Sequence, residues 1–295
     1  MTKKEIFRRL YANLDPIRLR EVILAIEGFK VSRTLVSPED LHNFISLIET
    51  CGAYAAVYDR KYHYKEDWGK GGWVSRYGYE VSLEADYGNC MVYVANQPEQ
   101  ALQAMKREHS QQDVEFGDSL NIPPCCRKHY VRCIHLAESK QNDYLEYTLN
   151  NTATPYPHDP WTNVAAQYFG YCLLSFYPCS FTCVDAARHA RQAYALLTEY
   201  SQDFADTFLE HHNMNYLYTE YDGIFQFPSS IYRDGVLEYE AGRMKSTLDS
   251  LLAAILRRGQ RLHIEGKHHV IVSDRNGKTI GILDHEDLSI LIFKG

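Results

Sequence analysis

The chain has no apolar stretch near the roughly 20 residues that a membrane-spanning helix needs. Its apolar runs, such as Leu251 to Leu256 and Leu288 to Phe293, are far shorter, so no membrane partner is expected. It has no block of Lys and Arg either. With 31 basic against 38 acidic residues the formal charge is −7, which gives no footprint for phosphate backbones and argues against nucleic acid. No apolar segment follows the basic residues of Met1 to Arg9, so a signal peptide is not read and a cytoplasmic location is expected. Dinucleotide, P-loop, α/β-hydrolase and zincin motifs are all missing, as are the C-x-x-C knuckles of zinc ribbons and ferredoxins. Neither an internal repeat nor a low-complexity tract occurs.

What is present is an ordinary globular composition, 45% hydrophobic and 23% charged over 295 residues, with 8 cysteines and 23 tyrosines as the unusual entries. The pattern predicts an α+β protein in three stretches: a mixed α/β region over 1–115, a helical region over 116–212 that carries most of the cysteines, and a β-rich region over 213–295. Helical spacing recurs through Ile6 and Leu10, through Ile17 to Ile26 after Asp15-Pro16, and through Leu41 to Ile48 before Gly52. Tyr, Val and Ala dominate 53–95, which reads as strands with a Gly-rich turn at Gly69 to Trp73. One long helix is expected from Ser180 to His211 and a shorter one from Ser246 to Arg258. Asp234-Gly235 and Asn276-Gly277 mark hairpins. The sheet of 53–95 is expected to pack against helices starting near Pro124 and Pro178, with the C-terminal hairpins outside that core. A tyrosine-lined substrate pocket is expected between sheet and cysteines, under the Gly69 to Trp73 turn or the His158 loop.

The cysteines carry the chemistry. Pro124-Cys125-Cys126 and Pro178-Cys179-Ser180-Phe181-Thr182-Cys183 have the same form, a proline suited to a first helical turn and then cysteine. Free backbone N–H groups and the helix dipole favour a thiolate there. If both are helix starts, Cys179 and Cys183 share one face, and Cys125, His129 and Cys133 form a stripe on the other helix. Cys125, Cys126, Cys179 and Cys183 are therefore the candidate metal ligands, with His129 as a further cofactor contact. Only one of the adjacent Cys125 and Cys126 is expected to face the site. A soft thiolate set suits iron, an iron–sulfur cluster or zinc. Cys51, Cys90 and Cys172 read as buried core residues; Cys133 fits the core or the stripe.

The run Gly117 to Cys126 followed by Pro178-Cys179-Ser180-x-x-Cys183 resembles a prokaryotic family of unknown function with a Gly-x-Pro-x-Cys-Cys motif and a later Pro-Cys-Ser-x-x-Cys motif. The likeness covers about 70 residues. Where that family often has a histidine just before the second motif, this chain has Ser175, Phe176 and Tyr177. The resemblance implies a cysteine-built site and no particular reaction. His129-x-x-x-Cys133 also resembles the haem attachment of some enzymes that hydroxylate tyrosine derivatives, which keeps haem open as a cofactor.

Two other side chains are candidates for catalysis. His158, beside Asp159 and Trp161 in a Pro-rich loop, is a candidate base over the same pocket, and Arg127, with Lys128, Arg132, Arg188 and Arg191 near it in pattern, is a candidate for holding a carboxylate. His211-His212 and His268-His269 read as exposed or capping residues. The leading function is a redox enzyme with a cysteine-held iron or iron–sulfur centre, acting on a small amino-acid-like or carboxylate substrate. A structural-zinc interaction protein, a haem-dependent aromatic oxygenase and a metal-free thiol enzyme stay open as alternatives, and an oligomer remains compatible with all of them.

Overall fold

The N-terminal helices begin where their caps require. In a computed structural model of the chain, described for residues 1–63, 79–137, 143–153, 156–266 and 268–293, Thr2 and Glu5 form a capping box for α1 (Lys3–Tyr11). Asp15 caps α2 (Pro16–Ile26), which opens on its proline. Between α2 and α3 (Leu41–Thr50) runs β1 (Ser32–Val36). The sequence reading passed over this strand, although its buried Ser32, Thr34 and Val36 alternate with the outward Arg33.

Strands β2 (Tyr54–His63), β3 (Tyr79–Ser82) and β4 (Asn89–Ala95) complete an antiparallel sheet in the order β1-β4-β2-β3. β4 is buried on both faces. Val92 and Val94 join Leu19, Val22, Phe44 and Ile48 of α2 and α3, while Met91, Tyr93 and Ala95 meet Ala101 and Ala104 of α4 (Pro98–His109). The sheet is thus covered by α2, α3 and α4, and not chiefly by the cysteine-bearing helices as expected. Short connections explain this, because each covering helix is a chain neighbour of the strand it covers. The Gly69 to Trp73 turn lies outside the described residues.

The central region holds α5 (Asp113–Ser119), α6 (Pro124–Ala137), α7 (Leu145–Asn150), two 3-10 turns at Pro160–Thr162 and Val164–Phe169, α8 (Val184–Tyr200) and α9 (Gln202–His212). The single helix expected over Ser180 to His211 is two. It starts late because Ser180 to Thr182 form a turn, and it breaks at Ser201, whose extended backbone (φ −159°) ends α8 while its hydroxyl accepts the Phe204 N–H to start α9. A serine prefers this N-cap role to a place inside a helix. α8 packs on α1 and α2, with Tyr200 donating to Glu27 at 2.6 Å.

The last region is built of hairpins. β5 (Asn215–Tyr218), β6 (Ile224–Phe227), β7 (Ile231–Arg233), β8 (Val236–Glu238), β9 (Lys245–Ser246), α10 (Leu251–Arg258), β10 (Arg261–Ile264), β11 (His269–Ser273), β12 (Thr279–Asp284) and β13 (Ser289–Leu291) form two antiparallel sheets, β13-β5-β6-β9 and β12-β11-β10-β8-β7. Asp234 and Gly235 both take positive φ, 48° and 80°, the requirement of a two-residue hairpin turn. α10 begins at Leu251 because Lys245 and Ser246 are drawn into pairing with β6. The hairpins do not all lie outside the main core, since Tyr216, Tyr218, Ile224, Leu291 and Phe293 are part of it. The whole is an α+β protein with mixed α/β, helical and β-hairpin stretches in that order. Among the described residues no helix is long and apolar enough to cross a membrane.

Candidate metal centre

Two chain segments, some 50 residues apart, bring four sulfurs together. In the first, the Pro123 carbonyl accepts from the N–H groups of Cys126 and Arg127 at 2.9 and 3.0 Å, so α6 starts on Pro124 and presents Cys125 and Cys126 on its first turn. Proline costs nothing there, because a first helical residue has no intrahelical use for its N–H. The second segment differs from the expectation. Pro178 and Cys179 lie in a loop, and the helix begins only after Cys183, whose Sγ accepts the Ala186 N–H at 3.4 Å as the cap of α8. Cys179 and Cys183 are therefore held by a turn and not stacked along one helical face.

Cys125, Cys126, Cys179 and Cys183 place their sulfurs within 4.8 Å of one another. Cys183 Sγ lies 3.6 Å from Cys125 Sγ and 3.7 Å from Cys126 Sγ, and those two are 3.9 Å apart. Both members of the vicinal pair face the site, contrary to the expectation that only one would. Side chains about 100° apart around a helix diverge over a target beside it; over a target off its first turn they converge. All eight cysteines are free thiols. Cys51, Cys90 and Cys172 are buried core residues, as the sequence indicated.

The surroundings sort the four sulfurs. Two helix N-termini meet here, which favours negative charge. Hydrogen bonds from Cys126, Cys179 and the Ala186 N–H bring Cys183 down to about 2. Hydrogen bonding with Cys179 and Cys183, together with burial, holds Cys126 far up. For Cys179 the hydrogen bond with Cys126 lowers the value, but the bond with Cys183 and burial outweigh it and leave the thiol up at about 12. Cys125 is raised by burial first. Of the four sulfurs, Cys183 is the one whose surroundings favour the thiolate most. The Cys179 N–H also points at Cys126 Sγ, 3.3 Å away.

The loop between Pro178 and Cys183 has little structure of its own and is pinned from outside. Thr148 donates to the Pro178 carbonyl and Asn151 to the Cys179 carbonyl, both at 2.7 Å. Phe181 donates its N–H to Thr152 Oγ1, and its carbonyl accepts from Thr162 Oγ1, both at 2.9 Å. These partners were not foreseen, and hydroxyl residues that cap turns give no sequence signal of which distant carbonyl they will meet. Asp185 was missed too. Its Oδ2 lies 3.8 Å from Cys125 Sγ while Arg188 pairs with its other oxygen at 2.9 Å.

The remaining candidates lie apart from the four sulfurs. His129 is buried against Cys133 of the next turn, 3.7 Å from Nε2 to Sγ, beside Tyr144, and is not one of the four clustered ligands; burial lowers it. Arg127 is engaged by Asp118 at 3.1 Å and by the Val114 carbonyl at 3.0 Å, which ties α6 to α5. Arg191 pairs with Asp159 at 3.6 Å and lies over the Trp161 ring. His158 is 4% exposed, stacks on Phe181 and touches Phe293, and burial pushes it down to about 4. It thus supports the cysteine loop from behind through Phe181. The histidines His211 and His212 are buried, not exposed or capping. His212 Nδ1 donates to the Pro160 carbonyl at 2.9 Å and Nε2 accepts the Leu173 N–H at 2.8 Å, which only the neutral ring can do.

No family model, curated protein or solved structure matches the chain. The chemistry of the site must therefore be argued from its donor set. Four soft sulfurs beside two helix N-termini can hold a metal ion or cluster.

Proposed function

We propose that Cys125, Cys126, Cys179 and Cys183 hold one metal ion in a closed four-thiolate centre that joins the start of α6 to the start of α8. The observation that carries this reading is the sulfur spacing. A tetrahedron with metal–sulfur bonds of about 2.3 Å has edges of about 3.8 Å; the separations among Cys125, Cys126 and Cys183, 3.6, 3.7 and 3.9 Å, fall near that value, and Cys179 Sγ lies within 4.8 Å of all three. A four-iron cluster gives each thiolate its own iron and a two-iron cluster sets two pairs of thiolates apart, so either needs the four sulfurs spread wider, and the spacing favours a single ion. Four protein thiolates also leave no open position for substrate, the arrangement of a structural site. Zinc is the ion this supports best. All four sulfurs come from the two motifs by which the chain resembles the prokaryotic family of unknown function, and their convergence fits that resemblance.

A second reading is a redox centre with one iron in the same four thiolates. Cys125 and Cys179 are only partly buried, and an electron-transfer site needs such an edge near solvent. Metal analysis of the purified protein with its visible spectrum separates the two. We expect one ion per chain, colourless for zinc and coloured for iron. A folded chain that takes up neither ion would overturn both readings.

A further inference from the structure

Arg20 and Glu21 of α2 and Lys30, just before β1, are buried together, two basic side chains around one carboxylate. Glu21 Oε1 is paired with Arg20 Nη2, and Glu21 Oε2 lies 2.5 Å from Lys30 Nζ. Arg20 is fixed further by donating to the Leu174 carbonyl at 3.1 Å. Lys30 Nζ lies 2.6 Å from Ser175 Oγ. Ser175 differs from the other members of the chain of contacts in being exposed. Beneath the pair sits His189, buried, with its ring against Phe29 and Phe176, the chain neighbours of Lys30 and Ser175.

Charge decides the state of the lysine. A guanidinium cannot lose its proton in a protein, so Arg20 balances Glu21. A protonated Lys30 would then be a second buried cation with no counter-ion of its own, and burial accordingly lowers its amine. His189, which burial pushes down to about 3, adds no charge. Lys30 Nζ donates to Ser175 Oγ in the structure; with its extra proton gone, the same amine can donate an N–H to Glu21 and turn its lone pair to the Ser175 O–H. The order carboxylate, base, hydroxyl is that of a nucleophilic triad, with each neighbour within hydrogen-bond reach.

We propose that Ser175 is a nucleophile for acyl transfer, with Lys30 as its general base and Glu21 as the group that orients the base. The substrate class is an ester or similarly activated acyl compound. Oγ attacks the carbonyl carbon while its proton passes to Lys30 Nζ. The ester C–O bond then breaks, and the leaving alkoxide takes that proton from Lys30. Water, deprotonated by Lys30, attacks the acyl-serine, and the serine oxygen recovers the proton, so that ester and water give acid and alcohol. None of this uses the cysteine centre.

The test is labelling by an alkyl fluorophosphonate, in which Oγ displaces fluoride from phosphorus and stops as a stable phosphonyl-serine. Intact mass should rise by one phosphonyl group, mapped by peptide sequencing to Ser175. Ser175→Ala should abolish it without unfolding, since that side chain is exposed. Lys30→Arg replaces the neutral base with a permanent cation that cannot accept a proton, and should slow labelling at least about 100-fold. Lys30→Met leaves the Arg20–Glu21 pair neutral and serves as a second variant if the arginine does not fit. Folding is checked by circular dichroism. Unlabelled wild type under conditions that label a serine hydrolase, or folded Lys30 variants that label at the wild-type rate, would overturn the proposal.

Discussion

The two Pro-Cys segments begin alike and fold differently. After Pro124 come Cys-Cys-Arg-Lys-His, and the chain runs straight into α6, its first bonds closed by the Pro123 carbonyl. After Pro178 come Cys-Ser-Phe-Thr-Cys, and the Ser and Thr hydroxyls favour turns over helix, so the helix waits until Cys183 caps it. A proline marks where a helix can start. The residues behind it decide whether it does. One consequence is energetic: the first segment holds its sulfurs by local structure, whereas the second borrows hydrogen bonds from Thr148, Asn151, Thr152 and Thr162. The four-cysteine site therefore joins a preformed half to a dependent half.

The largest break comes from removing the metal or a ligand that is also a cap. Binding of structural zinc is worth on the order of 10 kcal/mol in small domains. Cys183→Ser should reduce bound metal from one ion per chain to almost none and lower the melting temperature by more than about 10 °C, as should a strong chelator acting on the wild type. Cys51→Ser and Cys90→Ser should keep the metal, because those thiols sit in the core away from the four. Atomic absorption with differential scanning calorimetry reads both quantities.

Acid should attack the second half next. His158 stacks on Phe181, His189 packs on Phe176, and His212 accepts the Leu173 N–H. Burial holds the three at about 4, 3 and 4, below the ordinary 6.5 or so of the unfolded chain. The folded state thus keeps these rings neutral while the unfolded state binds protons. Their contribution is complete above pH 6.5 and is lost as pH falls toward 4. Three such groups give a slope approaching about 4 kcal/mol per pH unit. Urea unfolding of the metal-free protein at pH 7, 6 and 5 measures this without interference from metal loss. A flat profile would mean that the rings are not held neutral.

Much of this half was hidden from sequence for one physical reason. The four clustered cysteines were legible because prolines and cysteine spacing are local signals, and so was the helix start at Asp15-Pro16. His212 looked like an ordinary residue at a helix end; its burial depends on Pro160 and Leu173, which only the fold brings to it. The break at Ser201 was readable in principle, since Ser followed by Gln-Asp is an N-cap signature, but a run of apolar residues at helical spacing on both sides masked it. β1 was passed over because it is only five residues long. That Cys125 and Cys126 would both face the site could not follow from helical geometry alone, because the direction of the target was unknown.

The pinning threonines should give a moderate effect. Thr148 and Thr162 are fully buried, so Thr148→Val or Thr162→Val leaves a buried carbonyl with a partner lost, at a cost of about 1–3 kcal/mol. Because the loop must be ordered before Cys179 and Cys183 can bind together, part of that cost should appear as weaker metal binding. We expect affinity to fall about tenfold, about 1.4 kcal/mol, in competition titrations with a chromophoric chelator. Arg127→Lys, which loosens α6 from α5 without touching the second segment, should lower stability and leave affinity unchanged.

The finest test swaps the two prolines in turn. Pro124→Ala keeps the acceptor that starts α6, since the carbonyl belongs to Pro123, and alanine is the best helix former. The loss should be confined to the extra freedom of the unfolded chain, about 0.4–1 kcal/mol, with metal affinity unchanged. Pro178→Ala releases a backbone that no helix holds. It should carry the same unfolded-state cost and, in addition, a severalfold weaker affinity, because the metal-free loop has more conformations to lose on binding. Urea midpoints give the first quantity and chelator competition the second. If Pro124→Ala weakened the metal as much as Pro178→Ala, the start of α6 would itself depend on the metal, and the two halves of the centre would not differ in the way their sequences imply.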